Sequence, residues 1–253
     1  MRQKMKATGS DALAFGQPIC GAALLAAWER GIAEPPPVLT LLRAGYPGLT
    51  EEEAAALPLT WRDRALALLH QLSFGPVFLA VAPCESCSAR LEFTLSAELL
   101  AASLQAAAAE GVLADGEVTA RLRLANTRDL SDAAAAPDLE MARLRLLARC
   151  VEAVDRAGRV VALPQALHAA ALDRLDAMHD AAEIAARLLC PACGVSQTVH
   201  LDIAGFLWAE VRHAARRLLD EVHELAWAYG WSESAILAMS AARRQAYLER
   251  VRG

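Results

Sequence analysis

Apolar side chains recur at helical spacing along most of the chain, and strict alternation of apolar and polar residues is confined to short stretches. The clearest helix is predicted over 204–228, and Gly230 is placed to end it. Its apolar stripe consists of Leu207, Val211, Ala214, Leu218, Val222 and Leu225. Ser232 and Ser240 are typical N-caps and predict two short helices that follow. Residues 204–253 are therefore interpreted as a C-terminal helical region.

Further helices are predicted over residues 1–73, which we interpret as an N-terminal helical region. After a short tail, the pattern is helical from Ser10 to Gly31 and is then broken by prolines. Thr50 and Glu53 have the spacing of a capping box that opens another helix. A longer amphipathic helix, capped by its first residue, is predicted over Thr60–Leu72.

Two segments, 74–95 and 184–203, have the alternation of strands on both sides of a C-x-x-C pair. Each predicts a β-hairpin with two cysteines at its tip, followed by a helix. Their common order of elements indicates a weak internal repeat.

The intervening residues, 96–183, are predicted to form an inserted and mainly helical subdomain. A helix is expected from Ser96 to about Glu110, and the alternation over 117–124 predicts a strand. Thr127 and Asp138 resemble the N-caps of two helices, the second running to about Val154, and a further helix is predicted over 165–178. The expected fold class is mainly α with small β-hairpins, built around a split core that resembles a zinc ribbon.

The two cysteine pairs, Cys84/Cys87 and Cys190/Cys193, carry the strongest chemical signal. Two thiolates separated by two residues can point into one turn, and a second pair completes the four ligands of a tetrahedral zinc ion. The pairs lie 103 positions apart, which the inserted subdomain would explain. An iron–sulfur cluster, two separate metal-free pairs, a redox dithiol, or His200 in place of one cysteine are the alternatives.

Four thiolates fill the coordination sphere of zinc and leave no position for an activated water, so the expected role of the ion is structural. No Ser/His/Asp arrangement, glycine-rich phosphate loop or pair of catalytic carboxylates stands out in the sequence. Cys20 and Cys150 stand in apolar helical surroundings and are interpreted as small buried residues. These observations favour a protein that is not an enzyme and has no small-molecule substrate.

Composition and charge narrow the expected partners. Hydrophobic residues make up 55% of the chain, enough for a substantial core. The formal charge of −5 argues against general binding to nucleic acid. The arginines within 212–217 and the pair Arg243/Arg244 still leave a zinc-ribbon nucleic-acid-binding or regulatory module as the alternative.

The location expected from the sequence is the cytoplasm. Arg2, Lys4 and Lys6 precede the apolar run 12–28, as in a secretory signal, but that run continues into charged residues instead of a small-residue cleavage site. No stretch has the length of uninterrupted apolar residues that a membrane span needs. Six cysteines in the cytoplasm are expected to be thiols or metal ligands.

Several strings resemble T-even-phage-type baseplate proteins of contractile phage tails and extracellular contractile injection systems. The most specific part is the terminal segment Glu221–Arg244. His223, Tyr229 and Trp231 in this segment are candidates for partner binding. For the two aromatic residues, packing of the short terminal helices onto the long one is the alternative. The other matching strings are Trp28–Gly31, Phe74–Pro76, Arg121–Leu124, Thr127–Leu130, Cys190–Gly194 and Phe206–Glu210.

The resemblance implies a non-enzymatic assembly or structural protein that binds baseplate or tail subunits in a bacterial or phage-infected cell. Members of the family carry a proline and a glycine in both cysteine turns. In this chain the first turn has Glu85, Ser86 and Ser88 at the corresponding places.

Overall fold

The computed structural model describes residues 13–106 and 110–253, so the predicted N-terminal tail lies outside the described residues. The chain is mainly helical with small antiparallel sheets, as expected. Its helices are α1 Gly21–Ala33, α2 Val38–Gly45, α3 Glu51–Ala56, α4 Leu59–Phe74, α5 Ala97–Ala106, α6 Thr127–Ala134, α7 Leu139–Cys150, α8 His168–Ala182, α9 Ile203–Tyr229, α10 Glu233–Leu237 and α11 Ala241–Arg252. Its strands are β1 Val77–Pro83, β2 Arg90–Ser96, β3 Glu110–Asp115, β4 Val118–Arg123, β5 Val151–Asp155, β6 Val160–Val161, β7 Ala185–Leu189 and β8 Ser196–His200.

The N-terminal helices differ from the sequence prediction at their ends. The single helix expected from Ser10 to Gly31 is, within the described residues, a 3₁₀ turn over Leu13–Phe15 followed by α1. Gly31 does not end α1, which continues to Ala33. Gly31 instead lies against the Trp208 ring, where a Cβ would come within 2.6 Å of a ring carbon. The glycine at this position therefore allows close packing of α1 against Trp208 and does not mark a helix end.

Of the N-caps predicted for the next two helices, one is present and the other is not. Thr50 and Glu53 form the capping box of α3, with side-chain and backbone hydrogen bonds in both directions. Thr60 is not the N-cap of α4, because that helix begins at Leu59, after Pro58. Thr60 is buried instead.

The main hydrophobic core forms where α1, α2 and α4 pack on α9 and where α5 packs on α4. Leu207, Val211 and Leu218 of α9 are among its buried residues. The ring of Phe78 on β1 stacks on the buried His70 ring at 3.9 Å between centroids and also contacts Phe206. The inner face of β1 is thereby fixed to the core, which places the first hairpin.

A second hydrophobic cluster belongs mostly to the inserted segment. Strands β3–β6 form a four-stranded antiparallel sheet in chain order, and Leu175 and Met178 of α8 pack against Leu122 of β4. The helix predicted to reach Val154 ends at Cys150, because the next five residues pair with β4. The β-branched Val151 and Val154 favour a strand there once a neighbouring strand is present.

The C-terminal region follows the prediction closely. Gly230 ends α9 with a φ of 67°, and Ser232 and Ser240 cap α10 and α11 through hydrogen bonds to backbone N–H groups. Ala215 lies in the buried stripe where Ala214 was expected. Within the described ranges, no helix is both long enough and apolar enough to cross a membrane.

Candidate metal centre

The two cysteine turns stand at the tips of two antiparallel hairpins, β1–β2 and β7–β8. In the first turn, the N–H of Cys84 donates to the carbonyl of Ala89 at 2.8 Å, and the N–H of Ser88 donates to the carbonyl of Cys84 at 2.8 Å. The second turn repeats both bonds, from Cys190 to Val195 and from Gly194 to Cys190, each at 2.9 Å. The repeat seen in the sequence is therefore a repeat of backbone geometry.

The residue after each second cysteine adopts the left-handed conformation. Gly194 has a φ of 74°, and Ser88 has a φ of 59° at the same place in the first turn. Glycine reaches this region without steric cost, whereas a side chain at Ser88 is strained there by about 1–2 kcal/mol. The first turn thus keeps the geometry of the second without its glycine.

The four sulfur atoms of the two pairs converge, as predicted. All four Sγ atoms of Cys84, Cys87, Cys190 and Cys193 lie within 4.8 Å of one another. Cys84 Sγ lies 3.6 Å from Cys193 Sγ, and Cys87 Sγ lies 3.7 Å from Cys190 Sγ. These distances are far longer than a disulfide bond of about 2.05 Å. The first cysteine of each pair is buried and the second is exposed.

These sulfur positions fit a single tetrahedral ion. Four sulfurs at about 2.3 Å from one centre form a tetrahedron with edges of about 3.8 Å. The Cys84–Cys193 and Cys87–Cys190 sulfur separations are within a few tenths of an ångström of that edge. The four cysteines could therefore hold one metal ion.

The protonation of the thiols depends on their neighbours. Backbone N–H groups of Cys87 and Ser86 lower the pKa of Cys84 to about 7. A bond from the Ala89 backbone also lowers the pKa of Cys87, but the sulfur of Cys193, burial and the other two sulfurs outweigh it and raise the value to about 12. Four thiolates at this distance repel one another, so full ionisation requires a cation among them.

A residue outside the predicted site joins the two hairpins. The side-chain amide of Gln197 on β8 donates to the carbonyl of Pro83 at 3.0 Å and accepts from the N–H of Glu85 at 2.9 Å. Gln197 is buried, with 7% of its surface exposed. Sequence reasoning missed it, although a polar residue four positions after Cys193 in an alternating strand was an available signal.

The remaining candidates from the sequence lie elsewhere. His200 does not reach the sulfurs: its Nδ1 lies 2.7 Å from a carboxylate oxygen of Glu183, beside a cavity of about 330 Å³. Cys150 is buried, as expected, but Cys20 is exposed at the start of α1, so its prediction was wrong.

A charged cluster inside the inserted segment was not predicted. Asp129 is fully buried and accepts hydrogen bonds from the guanidinium groups of Arg123 and Arg149. Both arginines also line a cavity of about 840 Å³ between α7 and the sheet. Asp129 and Asp132 already form ion pairs with the guanidinium groups of these arginines. The cluster is therefore suited to holding α6, α7 and β4 together.

The predicted partner-binding residues surround the end of α9. His223 is exposed, and the ring of Tyr229 stacks on that of Trp231 at 4.5 Å between centroids. Trp231 also meets Tyr247 of α11 edge to face. Trp227 projects from the same helix end with 86% of its surface exposed.

Comparisons with protein-family models, curated proteins and solved structures found no match to this chain.

Proposed function

We propose that Cys84, Cys87, Cys190 and Cys193 bind one Zn²⁺ ion as a structural cross-link in a non-enzymatic assembly protein. The single observation that carries this proposal is the convergence of the four sulfurs within 4.8 Å of one another, with two of their separations close to the edge length of one zinc tetrahedron. A four-iron cluster suits the site less well, because each of its cysteines binds a different iron and the sulfurs lie farther apart.

Zinc in this set of ligands would act on the fold and not on a substrate. Four cysteines leave no open coordination position, so bound water cannot be activated there. The ion would hold together two turns separated by 103 positions, and it would fix both ends of the inserted segment to one point. Part of its binding free energy would therefore stabilise the closure of a long loop.

The test of the metal site combines metal analysis with X-ray absorption. We expect one zinc per chain and four sulfur neighbours at about 2.3 Å. The variant Cys190→Ser should lose most of the zinc, whereas the control Cys20→Ser, exposed and outside the site, should retain it. Protein purified without metal, or with nitrogen and oxygen ligands, would contradict the proposal.

For the biological role, we propose assembly of a contractile injection system or phage-like particle, through binding to baseplate or tail subunits. Support comes from the family resemblance of the terminal segment and from the exposed Trp227 at the end of α9. Large exposed aromatic side chains are frequent anchors of protein interfaces.

Co-expression with the sheath, tube and spike subunits of the same locus would test this role. We expect capture of at least one baseplate or tail subunit and a loss of about tenfold or more in Trp227→Ala. Phe15→Ala is a matched control, because Phe15 is an aromatic residue with 85% of its surface exposed. Failure to capture any of these subunits would count against the role and leave the zinc proposal intact.

A nucleic-acid-binding module is the second candidate, favoured by the exposed Arg212, Arg216 and Arg217 of α9. The net charge of −5 opposes it. Fluorescence anisotropy with RNA and DNA oligonucleotides at about 50 mM salt would decide between the two, since binding driven by phosphate contacts is strongest at low salt. Salt-sensitive binding would support the second candidate, and no binding would remove it.

A further inference from the structure

We propose that the outer edge of β1 is a self-association site, at which the β1 strands of two copies of this chain pair antiparallel. Strands β1 and β2 form a sheet of two strands, so each has one outer edge. A free strand edge offers backbone donors and acceptors to another strand. The proposal extends beyond the zinc site and does not depend on it.

The hydrogen bonds at the two ends of the hairpin establish which residues face this edge. The N–H of Cys84 donates to Ala89, and the N–H of Ala97 donates to Pro76. Even-numbered residues of β1 therefore direct their backbone N–H and C=O groups toward β2, and odd-numbered residues direct theirs outward. Within the described part of the chain, no backbone bond outside the β1–β2 ladder reaches Val77, Leu79 or Val81.

The side chains of the same three residues are apolar and exposed. Val77, Leu79 and Val81 have 47%, 72% and 53% of their surface exposed, whereas Phe78 and Ala80 between them are buried. This alternation presents three apolar groups on the outer face of β1. A partner strand at this edge would pair the free backbone groups and would place its own side chains beside these apolar groups.

The other edge of the same hairpin carries different residues. The outward positions of β2 include Arg90, Glu92 and Thr94, and the first two form an ion pair at 3.0 Å. Charged and polar residues are the usual protection of an edge strand against unwanted pairing. The edge of β1 has no charged residue between Val77 and Ala82. The hairpin is thus protected on one edge and open on the other.

A second copy fits the open edge because the free residues are symmetric about Leu79. An antiparallel pairing with a two-fold axis at Leu79 brings Val77 opposite Val81 of the second copy and Leu79 opposite its own equivalent. Each of the three pairs would exchange two hydrogen bonds, about six in all. Pro83 and Glu85, whose outward groups are already bonded to Gln197, would lie beyond this ladder. The backbone groups that this pairing requires are therefore those that β1 leaves free, at Val77, Leu79 and Val81.

Sedimentation velocity over about 1–200 µM protein tests the proposal, because this range spans weak and moderate dimer affinities. We expect a concentration-dependent dimer. Leu79→Lys should weaken it by about 100-fold, since the two lysines would stand opposite each other across the axis. Leu99→Lys is the matched control, because Leu99 also has 72% of its surface exposed but lies on α5.

A second variant and amide exchange distinguish loss of the dimer from loss of the fold. Leu79→Thr, which places a β-branched residue in the strand but removes the apolar leucine side chain, should also weaken the dimer, and circular dichroism should show native helicity in every variant. Amide exchange followed by NMR should show protection of Val77, Leu79 and Val81 that increases with concentration. A monomer at all concentrations, or a dimer that Leu79→Lys does not change, would overturn the proposal.

Discussion

The side chain of Gln197 bonds to the backbone on both sides of the first cysteine turn, donating to the Pro83 carbonyl at 3.0 Å. The same amide accepts from the N–H of Glu85 at 2.9 Å, so it spans Cys84 from a strand 112 to 114 positions away in sequence. One buried amide thereby aligns the first pair of sulfurs with the second.

Gln197→Ala is expected to lower zinc affinity by about 10- to 100-fold, the usual cost of removing a residue that orients metal ligands. The variant leaves the Glu85 N–H and the Pro83 carbonyl without their partner, and the two turns lose their register. Competition with a chromophoric chelator measures the affinity. Gln71→Ala, at an exposed position on α4, is the control and should bind zinc as the parent does. Equal affinities in the two variants would show that the amide has no role in the site.

Gly194 and Ser88, which both have a positive φ, can be tested by substitutions with opposite expected effects. Gly194→Ala should destabilise the protein by about 1–2 kcal/mol, because its φ of 74° disfavours a side chain although no atom lies within 4 Å of the added Cβ. Ser88→Gly should stabilise it by about 0.5 kcal/mol, since relief of strain exceeds the added flexibility of the unfolded chain. Urea unfolding measures both. Gly48→Ala, equally open but without a positive φ, is the control and should not lose stability. A loss of stability in Ser88→Gly would contradict the account.

Much of the candidate site could be predicted because its signals are local. Four cysteines in two C-x-x-C pairs, each between alternating stretches, predicted the hairpins and the meeting of the sulfurs. The α9 stripe and its end at Gly230 are also properties of neighbouring residues, and they were predicted correctly except for Ala214.

The errors arose where distant packing decides the structure. Val151–Asp155 became a strand because β4 lies beside it, and Gly31, predicted to end a helix, instead leaves space for the Trp208 ring. Gln197 was missed for the same reason, since its role depends on a hairpin that is remote in sequence. No local pattern shows which remote backbone group a buried amide will meet.

The buried Asp129 should make the inserted segment sensitive to acid. Burial alone would raise its pKa, but hydrogen bonds from Arg123 and Arg149 lower the value to about 2. Because the folded pKa is below the ordinary value of 3.8, the contribution to stability is complete above about pH 4 and is lost as the pH falls toward 2. The loss should reach about 2 kcal/mol at most.

Asp129→Asn should cost about 3 kcal/mol at neutral pH, because two guanidinium groups lose their buried charged partner. It should also remove most of the dependence of stability on pH between 2 and 4. Urea unfolding at several pH values measures both effects. Asp176→Asn, exposed on α8, is the control and should retain the acid sensitivity. A parent-like pH profile in Asp129→Asn would assign the acid sensitivity to other carboxylates.

Removal of the metal should loosen the two hairpins to different degrees. The inner face of β1 is held by Phe78, which is fully buried and stacked on His70 in the main core. In β7–β8, by contrast, the buried side chain is that of Gln197, and the sulfur of Cys190 belongs to a small separate cluster. The second hairpin should therefore depend more on the proposed ion for its position.

Hydrogen–deuterium exchange with and without a strong zinc chelator, under reducing conditions, tests this asymmetry. Amides of β7 and β8 should lose protection first and by the larger factor, while those of β1 and β2 lose less and those of α9 remain protected. Cys190→Ser should reproduce this order without chelator, and Cys20→Ser should behave as the parent does. Equal loss in both hairpins would mean that Phe78 does not hold the first hairpin independently of the metal, and loss throughout α9 would make the ion a condition for the whole fold.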